Sequence, residues 1–121
     1  ILNRFKKSLN GSKILVLGVA YKQDIDDYRE SPALKVIENF ENEGCVVEYY
    51  DSFIREYKHK GKVKLGETEL TSELIKESDL VVITTSHSNV DYDFVQKNAK
   101  FIFDTKNVMK NIDNRDNIEL L

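Results

Sequence analysis

Ile14-Leu-Val-Leu17, running into Gly18-Val-Ala-Tyr-Lys-Gln-Asp-Ile-Asp-Asp-Tyr-Arg-Glu-Ser-Pro32, decides the fold. A short apolar run ending on a glycine suits a strand buried on both faces of a parallel sheet. Ser31 is a natural helix cap, and Pro32 fits the first helical turn, where a missing N–H costs nothing. Ala33, Val36, Ile37 and Phe40 recur at helical spacing, and Gly44 stops the helix. Residues 45–50 read as a second strand ending at Asp51. Strand, loop, helix and strand form one βαβ unit. Its loop lies at the carboxyl ends of the strands, where open α/β sheets bind ligands.

That loop is not a dinucleotide fingerprint. The fingerprint needs glycines spaced G-x-G-x-x-G, and Gly18 stands alone. Lys22 and Arg29 lie instead among Asp24, Asp26, Asp27 and Glu30. Two readings stay open from the residues themselves. The cations meet an anionic ligand at a partly desolvated cleft, where charge-assisted bonds are strong. Alternatively, the loop is a solvated surface whose cations pair with its own acids, an arrangement that contributes little.

Composition narrows the class. The 121 residues suit one domain with a modest core, and 40% apolar with 32% charged residues is a globular composition. A net charge of −3 without a basic stripe argues against a nucleic-acid partner. No apolar run approaches the roughly 20 residues that span a bilayer, so no membrane partner is expected. No signal peptide pattern is visible at the start. Cys45 is the only cysteine, which excludes an intrachain disulfide and favours a reducing, cytoplasmic setting. His59 and His87 lack ligand spacing, so no metal site is expected. The chain starts at Ile1 rather than Met, so it is expected either to begin inside a larger protein or to lack a leader.

The rest of the chain alternates strands and helices. Leu2, Phe5 and Leu9 have helical spacing, so residues 1–11 read as the end of a linker helix from a preceding domain and 12–121 as the domain itself. Residues 52–61 read as polar and irregular, with a weak strand at 63–65. Thr71 or Ser72 caps a short helix through Lys76. Strands are expected at 79–84 and 100–103, with a helix at 92–98 between them and a polar tail after Met109. This pattern predicts a Rossmann-like three-layer α/β domain with a mainly parallel sheet. The loops after the strands at 14–17, 79–84 and 100–103 then share one edge, so Lys22, Arg29, His87 and Lys106 are expected to converge. Asp51 occupies the place of a ribose-binding acid, but without the glycines it reads as a strand terminator. Cys45 reads as buried. His87 lines the cleft or is structural, and Asp104 binds ligand or caps its turn.

Gly18-Val-Ala-Tyr-Lys22, Asp27-Tyr-Arg-Glu-Ser-Pro32 and Tyr50-Asp51 together resemble the C-terminal domain of the UDP-glucose/GDP-mannose dehydrogenase family. Thr84-Thr-Ser-His-Ser88, Val90-Asp-Tyr92 and Phe103-Asp-Thr-Lys-Asn107 extend the likeness, which runs from about Ser12 to Met109. It is most similar to the UDP-N-acetylglucosamine and UDP-N-acetylmannosamine 6-dehydrogenases. The resemblance implies oxidation of the C6 hydroxyl of a UDP-sugar to a uronate for surface polysaccharide precursors, with NAD as cofactor. It implies that the nucleophile and the NAD fingerprint lie in N-terminal and central domains, so the chain alone is expected to be inactive and to hold no catalytic residue. It implies further that Tyr21 and Lys22 face the UDP-sugar, that Arg29 reaches toward the cofactor, and that the position of Lys106 contacts the sugar nucleotide. The family normally has arginine at Lys106, and lysine cannot make the planar fork contact of a guanidinium. The implied partners are the UDP-sugar, the other domains and further copies in a homo-oligomer. Two alternatives stand beside this: a self-sufficient NAD-binding domain of another oxidoreductase, and a non-catalytic α/β interaction module.

Overall fold

The computed structural model of the protein describes residues 11–120. The helix expected over residues 2–9 lies outside the described residues. The elements run β1 (Lys13–Leu17), α1 (Pro32–Asn42), β2 (Val46–Tyr50), β3 (Glu56–His59), β4 (Lys62–Leu65), α2 (Ser72–Glu77), β5 (Leu80–Ile83), α3 (Tyr92–Asn98), β6 (Ile102–Asp104) and β7 (Ile118–Leu120). Five strands form one sheet in the order β2-β1-β5-β6-β7, every pair parallel.

β1 explains why the sheet has two covered faces. Ile14 and Val16 pack on one side with Ala33, Ile37, Val47 and Tyr49. Leu15 and Leu17 pack on the other with Ile75, Val95, Ile102 and Met109. Successive residues of a strand point to opposite faces, so an uninterrupted apolar run is what a strand between two cores requires. α1 covers the first face, and α2 and α3 cover the second. Among the described residues, the three helices start on side-chain caps: Ser31 Oγ accepts the Ala33 N–H at 3.3 Å, Thr71 Oγ1 that of Leu74 at 3.1 Å, and Asp91 Oδ1 that of Phe94 at 3.1 Å.

Two segments differ from the sequence reading. Residues 52–55 are irregular as expected, but Glu56–His59 forms β3, which pairs as an antiparallel hairpin with β4, the weak strand expected at 63–65. Lys60 and Gly61 both have positive φ, 52° and 78°. That is the two-residue turn whose twist matches a hairpin, reached here through Lys-Gly rather than Asn-Gly. Tyr57 anchors the hairpin with its ring 5.4 Å from that of Tyr49 and 5.8 Å from that of Tyr28. Burial pushes the Tyr57 hydroxyl up to about 12. The second difference is the tail, which ends in β7, a parallel strand against β6. Asn117 delivers it by donating to the main-chain oxygens of Gln96 at 2.9 Å and Ala99 at 2.8 Å. Smaller shifts place the start of β2 at Val46 and β6 at Ile102–Asp104. Cys45 is buried, as read from its place in the sequence, and burial raises its thiol pKa.

Gly18 fixes how closely β1 and β5 end. Its φ is +88°, and a Cβ there would lie 2.5 Å from Thr85 Cβ and 2.6 Å from Thr85 O. Gly61 has φ +78° but nothing within 4 Å of an added Cβ. Gly18→Ala is therefore expected to cost more than about 3 kcal/mol, adding a backbone clash to the about 1–2 kcal/mol of the left-handed conformation. Gly61→Ala should cost only the latter. Urea denaturation of both variants checks the difference.

Candidate functional site

The chain moves outward from β1 to β2 on one side of the sheet and through β5, β6 and β7 on the other. The switch point is thus between β1 and β5, where the crevice of an open α/β sheet receives a ligand. In this protein the crevice is closed by its own loops. Thr84 Oγ1 donates to the main-chain oxygen of Gly18. Thr85 Oγ1 donates to that of Ala20 at 2.7 Å, and Ser31 Oγ reaches the same oxygen at 3.3 Å.

Asp51 is the centre of this closure. It ends β2, is 2% exposed, and accepts from four groups. Oδ2 takes the main-chain N–H of Val19 at 2.8 Å, that of Ala20 at 3.0 Å and Nε2 of His87 at 2.9 Å. Oδ1 takes the N–H of Phe53 at 2.8 Å. Burial alone pushes its carboxyl up, but the bonds from His87, Val19 and Phe53 outweigh burial and hold it below the usual carboxylate range. Asp51 therefore does more than end a strand. Its carboxylate occupies the donors that a nucleotide phosphate would take from the first βα turn.

His87 does not line an open cleft. It is 1% exposed, between Asp51 and the β1 loop, so the structural one of its two readings is the one found. Asp104 likewise caps: Oδ1 accepts the N–H of Lys106 at 3.0 Å and of Val108 at 3.2 Å, and Oδ2 that of Met109 at 3.0 Å. Sequence reading missed Thr84 and Thr85 as closing groups and Asp51 as their hub. An acid at a strand end was the only signal for the last.

Above the closed crevice the β1 loop is exposed. Tyr21 is 48% exposed, with Nζ of Lys22 5.8 Å from its ring centroid, within cation–π range. The Tyr21 N–H closes on the Asp27 oxygen at 2.7 Å, making residues 21–27 a compact turn. Arg29 forms a two-pronged pair with Asp27, Nε to Oδ1 at 3.1 Å and a terminal nitrogen to Oδ2 at 3.2 Å. Each raises or lowers the other in the expected sense: the pair lowers Asp27 and raises Arg29. Lys106 is exposed after β6. Of the four residues expected to converge, Arg29 is paired with Asp27 and His87 is buried. Lys22 and Lys106 follow β1 and β6, strands two spacings apart on the same edge, about 10 Å at the sheet. Of the cavities, one of ≈ 440 Å³ is lined by Asp26, Asp27, Tyr28 and Arg29. A larger one of ≈ 470 Å³ lies between α1 and the hairpin, walled by the pairs Lys60–Glu38 and Lys64–Glu41, away from this edge.

Known proteins place this geometry. Residues 15–111 match the model of the UDP-glucose/GDP-mannose dehydrogenase family, UDP binding domain. The chain is 30% identical over 119 residues to the UDP-N-acetyl-D-mannosamine dehydrogenase of Methanocaldococcus jannaschii, a match covering 90% of the chain and 26% of that relative. It is 32% identical over 111 residues to the UDP-glucose 6-dehydrogenase of Rickettsia bellii, covering 86% and 26%. The native structure of the UDP-N-acetyl-mannosamine dehydrogenase from Staphylococcus aureus superposes with a TM-score of 0.67 at 31% identity, covering 98% of this chain and 28% of that one. The chain thus spans between 26% and 28% of the length of these relatives. Among the described residues no helix is long and apolar enough to cross a membrane.

Removing the charge of Asp51 should loosen the switch point. Asp51→Asn keeps the shape but loses charge-assisted acceptance, and should cost on the order of 2–4 kcal/mol by thermal denaturation. The folded-state pKa of Asp51 lies below the unfolded value of about 3.9, so its contribution is complete above that value and is lost as pH falls through the folded one. The native chain should therefore lose stability below about pH 4 more steeply than Asp51→Asn.

Proposed function

The chain belongs to the UDP-glucose/GDP-mannose dehydrogenase family as its UDP-binding domain, and we propose that it forms one half of the nucleotide-sugar site in an NAD-dependent UDP-(N-acetyl)hexosamine 6-dehydrogenase. The single observation that carries this reading is the contrast at the sheet edge. The amides of Val19 and Ala20 are taken by Asp51, while Tyr21 and Lys22 next to them in the chain, and Lys106 after β6 on the same sheet edge, are exposed. A ligand at this edge is met by side chains rather than by a backbone cradle. Lys22 and Lys106 flank the β5 loop, a spacing that suits a diphosphate reached from both sides by long ammonium side chains. Tyr21 supplies an aromatic face for the sugar or the base.

The β1 turn does not fit a dinucleotide. Its glycine spacing is absent and its two amides already hold a buried carboxylate. Asp51 thus disfavours the self-sufficient NAD-binding domain. NAD is assigned to the domains that the longer relatives have beyond this region, and no step of hydride transfer is assigned to the described residues. Arg29, paired with Asp27 in this chain, is proposed to face that cofactor across the domain boundary. Residues 12–121 are proposed as the UDP-binding domain and 1–11 as its linker, working in the cytoplasm within a homo-oligomer. The whole enzyme would supply a uronate for surface polysaccharide precursors.

NMR titration of the chain with UDP, UDP-N-acetylglucosamine and NAD+ tests the reading. Both uridine nucleotides should shift Tyr21, Lys22 and Lys106, and NAD+ should leave Val19 and Ala20 unmoved. Silence toward both uridine nucleotides, or NAD+ binding at Val19 and Ala20, would count against it. Lys106→Arg restores the family's usual fork-shaped donor, so it should tighten UDP-sugar binding several-fold.

A further inference from the structure

Both ring nitrogens of the buried His87 are engaged. Nδ1 accepts the main-chain N–H of Asp24 at 2.8 Å. A ring nitrogen that accepts an amide N–H carries no proton, so the proton sits on Nε2, facing Asp51 Oδ2 at 2.9 Å. The ring is thus the neutral Nε2–H tautomer, wedged between Asp51 and the β1 loop. The base of that loop is held by the same Asp51 oxygen through Val19 and Ala20. Its tip carries Tyr21 and Lys22.

Asp24 presents the same nitrogen with two options. Its φ is +61°, a conformation uncommon outside glycine. In that pose its amide points at Nδ1, while its own carboxylate Oδ1 lies 3.7 Å from Nδ1. The carboxylate is held by Ser88, whose N–H and Oγ donate at 2.8 and 2.7 Å, and these bonds lower its pKa. The remaining surroundings of the ring are the Phe53 ring, with its centroid 4.8 Å away, and Tyr92 of α3, whose hydroxyl donates to the main-chain oxygen of His87 at 3.0 Å. The titratable groups facing the ring are therefore Asp51 from the end of β2, Asp24 from the β1 loop and Tyr92 from α3. Burial raises the Tyr92 hydroxyl pKa, so it stays protonated near neutrality.

Resting on the reading of Tyr21 and Lys22 as substrate-facing, we infer that His87 is the positioning residue of that segment and works only as its neutral tautomer. A proton taken from water onto the Nδ1 lone pair turns that nitrogen from acceptor to donor. It must then release the Asp24 amide, and the Asp24 carboxylate beside it becomes its partner. Residues 21–27 are closed on themselves by the Tyr21–Asp27 bond, so the change is carried to Tyr21 and Lys22.

A pH titration of the isotope-labelled chain tests this, following the ring nitrogens of His87 and the amides of Tyr21, Lys22 and Asp24. Expected are a bare Nδ1 at pH 7.5 and displacement of all three amides with the midpoint of the ring. In His87→Gln, which keeps a donor toward Asp51 but cannot titrate, the three amides should stay flat. A proton on Nδ1 at pH 7.5, or amides indifferent to the ring's titration, overturns the inference. UDP-N-acetylglucosamine is the ligand probe, because its doubly esterified diphosphate does not titrate in this range. It should bind several-fold more weakly below the midpoint, and equal binding on both sides also overturns the inference. No perturbation by it at any pH overturns the substrate reading instead, while the tautomer and amide signals still decide the latch.

Discussion

The carboxylate of Asp51 is the constraint on which the carboxyl edge depends. It sits where β2 ends, and through Val19 and Ala20 it fixes the path of the chain as it leaves β1. A buried carboxylate is tolerable only when its lone pairs are filled by good donors. Here three amides and an imidazole fill them. The consequence reaches beyond stability. In a dinucleotide fold the first βα turn offers amides to a diphosphate; in this chain the protein's own anion takes that place. The scaffold of a nucleotide-binding domain is kept, and its usual means of contact is not.

That substitution moves recognition outward. With the crevice between β1 and β5 closed by Thr84, Thr85 and Ser31, the ligand contacts we propose are the exposed side chains of Tyr21, Lys22 and Lys106 on the same sheet edge. Side chains at an exposed edge bind weakly unless something covers them, since surface charges are well solvated. A domain spanning only about a quarter of its relatives' length fits such an incomplete site. Arg29 illustrates the same point, because within this chain it satisfies Asp27 rather than a ligand.

Much of the fold was legible because its signals are local. Ile14 to Leu17 announced a strand between two cores, and Ser31, Pro32 and Gly44 bounded α1 within a residue or two. What escaped depends on contacts distant in sequence or on unusual turn residues. The hairpin turns on Lys60-Gly61, a pair without the usual asparagine or aspartate, and is anchored by rings from Tyr28 and Tyr49. β7 is only three residues long and is placed by Asn117 reaching back to Gln96 and Ala99. At the site, the loop cations and the β6 lysine could be named from the sequence. Their separation could not, nor could the Asp51–His87 bond, whose partners are 36 residues apart.

The most direct measurement is a crystal structure of the protein with a UDP-N-acetylhexosamine bound. Phosphate oxygens on the ammonium groups of Lys22 and Lys106, with the Val19 and Ala20 amides still on Asp51, is the outcome expected. Phosphate oxygens on those two amides, with Asp51 displaced, would contradict the central claim.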